Sequence, residues 1–278
     1  MSKEKKNNLF LVKIFLVLFA AVFLAAVFLR VYSSYENRQF TGNVFNILII
    51  SEKYVGVLGI DENDKKLQAA IVTEELDPIK KRNIMIQSIN FSIPIHAYIV
   101  FPENKEARPP TKNFFSFNAI REYVSNIALN KKNISFFDWV KLYRVTQSIK
   151  DENVKVKTYA TINDLSELLQ REDENFFRNS DISNRKTSLQ VINGTNINGL
   201  GNRVGDMYSR FGFNVVSVTT NTTDKSAVYY SDDAAYNDAL LVADSFDFPV
   251  EKSSEYMISE VTLVIGEESE LLLEDLAH

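Results

Sequence analysis

The apolar positions of this 278-residue chain change rhythm three times. Residues 9–29 (LFLVKIFLVLFAAVFLAAVFL) are apolar on every side of a helix and carry one charge, Lys13. At a rise of ~1.5 Å per residue, such a run matches a hydrocarbon layer of ~30 Å. The pattern predicts a transmembrane anchor over 9–31, preceded by a basic tail (1–8) and followed by a polar stalk (32–44). After the stalk, short apolar blocks bounded by Asp, Asn, Gly and Pro predict strands. They fall at 45–50 (FNILII), 55–61 (VGVLGID), 66–74 (KLQAAIVTE), 83–89 (NIMIQSI) and 97–101 (AYIVF).

The rhythm then turns helical. Apolar residues at helical spacing predict helices over 114–129 and over 135–149, where Ser135 and Asp138 are spaced like a capping box. Phe136, Phe137, Trp139 and Tyr143 form an aromatic stripe on the second helix, read as core. Residues 154–160 (VKVKTYA) alternate and predict a strand, and Thr161 is placed to cap a short helix through Leu165, Leu168 and Leu169. Together, 45–170 read as a mixed α/β domain. The charge-mixed stretch 171–186 reads as a linker.

The last block predicts a small β-α-β-β-α-β domain over 187–268, with a tail at 269–278. Its strands are expected at 189–193, 214–219, 227–230 and 261–266, and its helices at 198–211 and 233–245. The expected overall class is α+β, with a ferredoxin-like C-terminal domain. Within it lies VINGTNINGLGNRVG (191–205), where a strand enters a glycine-studded turn and then a helix. A dinucleotide fingerprint requires G-x-G-x-x-G and an acidic residue ~20 positions later. Here Gly199, Gly201 and Gly205 give a longer spacing, and the following strand holds no acid. The glycines are therefore read as structural: Asn193-Gly194 as a turn, Asn198 as a helix cap, and small residues letting the helix lie close to the sheet. Gly212 is placed as a helix C-cap. Asn193, Gly194, Thr195, Asn198, Gly199 and Arg203 form the candidate ligand-binding set at this turn and helix N-terminus.

Composition narrows the chemistry. There is no cysteine, which excludes disulfides and thiol catalysis. The two histidines, His96 and His278, cannot assemble a histidine metal cluster or a convincing triad. Asp61, Glu62 and Asp64 read as a solvated turn, and 231–233 (SDD) as a helix N-cap. No cofactor and no metal is expected. Lys3, Lys5 and Lys6 precede the anchor, while Arg30 and Arg38 follow it, which places the N-terminus inside and the remainder outside. A cleaved signal peptide is the competing reading, but the apolar run is longer than an h-region and no A-x-A site follows. Residues 31–278 carry 26 basic against 35 acidic residues, a poor match to nucleic acid.

The segments LQVINGTNINGLGNRVGDMYSRFGFNVVSV, AVYY and EVTLVIGEE resemble the LytR C-terminal domain, a module of bacterial cell-envelope proteins. More distantly, FNILII and SINFSIPIHAYIV resemble the LytR-CpsA-Psr catalytic domain, which transfers glycan polymers from polyprenyl-pyrophosphate carriers to the wall. Where that family carries an arginine and an aspartate after Ser92-Ile93-Pro94, this chain has Ile95 and His96, so no catalytic residue is assigned. The resemblance implies a non-catalytic, single-pass protein of the bacterial cytoplasmic membrane. Its exterior module would bind wall polymer (peptidoglycan or a wall glycopolymer) or an envelope protein. The alternative is a divergent, Mg-dependent glycopolymer transferase, with Lys53, Arg82 and Arg121 on pyrophosphate and Asp61 or Asp64 on metal.

Overall fold

The computed structural model describes residues 19–20, 22–26, 28–29, 32, 43–51, 54–73, 83–100, 134, 136–163, 165, 177–253 and 258–273. They form a mixed α+β structure built on two five-stranded mixed sheets. In the first, β1 (Val44–Ile50), β2 (Val55–Asp61) and β3 (Lys66–Val72) make an antiparallel meander. β4 (Ala97–Val100) lies parallel to β1 at one edge, and β5 (Val154–Tyr159) lies parallel to β3 at the other.

Every residue of β1 and β2 is buried, because both faces of this sheet are covered. One face, with Ile47, Ile49, Leu58 and Ile60, meets Trp139, Leu142 and Val145 of α2 (Phe136–Ser148) and Ile149 just after it. The aromatic stripe thus supplies core through Trp139. The other face, with Leu48, Ile50, Val55 and Val57, meets Phe91, Ile93, Ile95 and Phe177.

The strand expected at 83–89 is instead a helix, α1 (Ile84–Phe91). The Asn83 side chain accepts the Ile86 N–H at 3.1 Å and caps its start. Ser92, in the left-handed region, ends it. The short apolar run fits either period, and the cap decides the matter. Helical spacing sends Met85, Ile86 and Ile89 to one side, where they enter the core of the second sheet. Phe91 turns to the first.

The second sheet has the order β7-β6-β10-β8-β9. Its strands are β6 (Ser188–Asn193), β7 (Asn214–Thr220), β8 (Ala227–Tyr230), β9 (Val250–Lys252) and β10 (Val261–Ile265). The expected ferredoxin-like arrangement does not occur. In that fold another strand separates the two joined by the first helix. Here β6 and β7 are direct parallel neighbours linked by α4 (Leu200–Phe211), and β9 is an additional strand beside β8. α4 packs on both strands it joins, with Gly201 facing Val218 of β7 and Asn193 of β6. Gly212 ends the helix at φ 126° as expected of a C-cap glycine.

The region read as linker is ordered structure from Phe177 onward. Asn179 caps α3 (Ser180–Arg185), and Ile182 is fully buried in the second core. Phe177 reaches back over Gly59, where a Cβ would come within 2.7 Å of its ring. Asp181 accepts hydrogen bonds from Asn43 (2.7 Å) and Asn63 (2.6 Å) of the first unit. α5 (Tyr236–Asp244) follows the turn that Asp232 caps, as the SDD stretch implied, and α6 (Glu270–Leu273) closes the described chain.

Among the described residues no helix is long and apolar enough to cross a membrane. The described part of the expected anchor is helical, with Phe19, Val22, Phe23, Leu24, Phe28 and Leu29 all exposed. The rest of that stretch lies outside the described residues, as do the helix expected at 114–129 and the capping residue Ser135.

Two titrating groups sit where the units meet. His96 is fully buried, stacked on Phe45 (5.6 Å) and tilted against Phe211 of α4 (5.9 Å). Its Nδ1 accepts the Asn46 N–H at 3.0 Å, and burial lowers its pKa to about 4. Burial raises the Asp244 carboxyl to about 7, helped by the charges of Asp247 and of Asp138 on α2. A depressed imidazole stabilises the fold above its ordinary 6.5 and loses that contribution as pH falls through 4. A raised carboxyl does the reverse, losing its contribution as pH rises from 3.8 through 7. The two slopes oppose each other between pH 4 and 6.5. We expect Asp244→Asn to expose an acid-side loss on the order of 3 kcal/mol, and His96→Gln to expose a loss of similar size on the alkaline side. Urea melts of both variants across pH 4–7.5 check this, and parallel profiles would refute it.

Candidate functional site

The glycine turn sits at the carboxyl ends of three parallel strands, β6, β7 and β10. In open α/β sheets the carboxyl ends of the parallel strands are where ligands are held. Asn193, at the end of β6, is buried and spends its side chain inside the turn. Its Oδ1 accepts from the Thr195 N–H (3.1 Å) and hydroxyl (2.7 Å), and its Nδ2 donates to the Ile197 carbonyl (3.1 Å). Thr195 Oγ1 in turn accepts the Ile197 N–H at 3.2 Å. Two of the six candidates are thus the internal brace of the turn.

Gly194 donates to the Ile265 carbonyl at 2.7 Å, tying the turn to β10. A side chain there would strike the Thr223 methyl and stand 3.0 Å from the Ile265 oxygen. Asn198 does not cap the helix, contrary to expectation. The braced turn over 193–197 sets the chain so that a left-handed step precedes α4, and Gly199 takes it at φ 74° as the N-cap residue. Asn198 is left exposed at the rim.

The small residues of α4 act as expected. A Cβ on Gly201 would lie 3.0 Å from Val218 and 3.2 Å from Asn193, and one on Gly205 3.0 Å from Val218. Arg203, also exposed, reaches Asn90 of α1 at 3.4 Å, and partial burial holds its pKa below the ordinary arginine value. It serves the junction between the units.

Residues distant in sequence complete the site. Gly266 donates to Ser226 Oγ (2.9 Å), the Ser226 N–H donates to Glu268 (2.7 Å), and Glu267 and Glu268 donate their backbone N–H groups to Thr223 and Asp224. Asn196 donates to Glu270 at 3.2 Å. Sequence reasoning placed Gly266 in the closing strand but had no signal for its partners some 40 residues away. Around this framework the exposed side chains include Asn196, Asn198, Asn202, Asn221, Thr222 and Lys225, with the acids Asp224, Glu267 and Glu268. The rim is rich in neutral amides, which both donate and accept.

Other sequence candidates fall elsewhere. Asp61 Oδ1 accepts the N–H groups of Asn63 (2.9 Å) and Asp64 (3.0 Å), building the β2–β3 turn, while burial raises its pKa. Asp64 pairs with Lys66 at 2.7 Å. Among the described residues no three His, Cys, Asp or Glu groups converge as a metal site. Lys53, Arg82 and Arg121 lie outside the described residues. Ile95 and His96, the positions aligned with the expected arginine and aspartate, are both fully buried.

This architecture defines a mixed-sheet module with a braced amide-rich turn, joined to an upstream α/β unit. Residues 186–268 match the LytR_C family, described as LytR cell envelope-related transcriptional attenuator. The chain therefore carries a LytR_C domain, which points to a role associated with the cell envelope. That match does not extend to the upstream unit, and no curated protein or solved structure matches the chain.

Proposed function

We propose that this is a non-catalytic, membrane-anchored envelope protein whose LytR_C domain binds wall polymer or an envelope protein partner outside the membrane. The observation that carries the reading is the rim of exposed amides around a turn whose own polar groups are already satisfied. Side chains such as Asn198 and Asn221 are left to donate to and accept from a hydroxyl-rich ligand, as glycan recognition requires. The apolar run at 9–29 supplies the anchor, and its flanking lysines set the orientation. The upstream unit is a degenerate LytR-CpsA-Psr-like scaffold. Buried Ile95 and His96 present neither a phosphate clamp nor a metal carboxylate to substrate.

Detergent-solubilised full chain is expected to co-sediment with purified cell wall. Asn198→Ala combined with Asn221→Ala should reduce retention roughly tenfold, since two lost hydrogen bonds are worth about 0.5–1.5 kcal/mol each. Its melting temperature should not change. Retention equal to a lipid-only control, together with no envelope protein captured by in-cell crosslinking, would sink the reading. Transfer or pyrophosphatase activity on a polyprenyl-pyrophosphate glycan with Mg²⁺ would replace it with the transferase alternative.

A further inference from the structure

The two sheets end in four edges, and their composition differs. β4 is four residues long. β5 carries Lys155 and Lys157 among six residues. β9 is three residues long, follows Pro249 and contains Glu251 and Lys252. Short length, lysine and proline are the ordinary ways in which a protein keeps a sheet edge from recruiting another strand. β7 has none of these three, and its one guard is a bulge at Val216. It is seven residues long, reads NVVSVTT, and no charged residue occurs from Asn214 to Thr223. Among the described residues its sheet neighbour is β6 alone, α4 lies over one face, and Val216, Val218, Thr219 and Thr220 are exposed.

An open edge offers a row of backbone donors and acceptors, which only another extended strand satisfies in register. Specificity in such pairing comes from charge or from side-chain pockets on the receiving edge. β7 has no charge with which to select a foreign strand, but it complements itself. One residue is bulged out at Val216, where Leu189 pairs Val215 and Gln190 already pairs Ser217. Beyond the bulge, Ser217 to Thr220 run in regular register, and the Asn221 N–H still bonds Asn193. An antiparallel copy centred on Thr219 sets Thr219 against itself, Val218 against Thr220 and Ser217 against Asn221. These are β-branched and hydroxyl pairs of the kind that stabilise adjacent strands.

We propose that β7 is a self-association edge, joining the second sheets of two copies of this chain through an antiparallel two-fold pairing over residues 217–221. The bulge confines the contact to that half of the strand. A shared edge of this length buries less than the ~1,200 Å² of a standard stable interface, so the dimer is reversible.

The absence of cysteine makes the test clean, because each single-cysteine variant reports only its own position. Oxidative crosslinking of the full chain in membranes, scanned over 217–221, is expected to peak sharply at one position. The disulfide-linked dimer there should exceed by at least tenfold that from Lys155→Cys or Lys252→Cys on the guarded edges. Thr219→Lys and Thr219→Glu are exposed changes that leave the fold intact by circular dichroism. Each alone should abolish co-purification of differently tagged copies, and mixing the two should restore it. A flat scan, a yield no greater than on the guarded edges, or crosslinking of β7 to a different protein instead of a second copy would overturn the proposal.

Discussion

Residues 186–268 produced alone are expected not to fold cooperatively, whereas a chain covering 43–273 should melt as one unit. The reason is the composition of the second core. Val204, Met207 and Phe211 of the LytR_C domain share one buried cluster with Val44, Met85, Ile86 and Ile89 from the upstream unit and with Ile182 and Leu273. Each large aliphatic side chain removed from such a core forfeits about 1.5–3 kcal/mol. Three from α1 together rival the ~5–15 kcal/mol that keeps an ordinary domain folded. Polar contacts reinforce the seam, with Asn83 donating to the Leu272 carbonyl and Asn43 and Asn63 donating to Asp181. In the longer chain, Ile86→Asp should cost more than about 4 kcal/mol, since it removes an aliphatic and buries an unpaired charge. Urea denaturation followed by tryptophan fluorescence and circular dichroism measures both. The single tryptophan, Trp139, lies in the first core, so coincident transitions by the two probes would show that the units unfold together. A cooperative 186–268 fragment with the same midpoint as the longer chain would refute the shared core.

That shared core also marks how far sequence could be read. The LytR_C elements were legible because each carries its own punctuation. Gly212 closes α4, Asp232 opens the turn before α5, and apolar blocks of four to six residues give β6, β8 and β10. The first meander was legible for the same reason. Segment 83–89 was not, since its apolar residues fit two periods and the decisive fact is whether Asn83 caps. The sheet order was hidden too, because strand periodicity says nothing about which strands are neighbours. At the glycine turn, the roles expected of the residues are partly exchanged. Asn193 and Thr195 face inward as a brace, Gly199 takes the capping position assigned to Asn198, and Arg203 turns to Asn90. Partners such as Ser226, Glu268 and Glu270 are brought in only by the sheet's folding.

The severest single change at the site is expected at Gly266. Its backbone lies at φ −84° and ψ 169°, a conformation any residue adopts, so glycine is required there by contact alone. A Cβ would strike the Lys225 carbonyl carbon and stand 2.6 Å from its oxygen and 2.7 Å from the Asp224 oxygen. The Asp224 oxygen is held by the Glu268 amide and the neighbouring Thr223 carbonyl by the Glu267 amide, so this stretch of main chain cannot move aside without straining those bonds. Gly266→Ala should therefore cost about 3 kcal/mol or more, in the range of an overpacked core. Gly199 provides the opposite case: its φ of 74° favours glycine, yet nothing lies within 4 Å of the place a Cβ would take. Gly199→Ala should cost only the left-handed penalty of about 1–2 kcal/mol. The ordering of the two in urea melts is the check, and a larger loss at Gly199 would contradict it. Binding separates them further. Gly266→Ala pushes the 223–226 segment away from the braced turn and so should lose wall retention even at temperatures where the chain remains folded. Gly199→Ala leaves the rim residues Asn198 and Asn221 in place and should retain it.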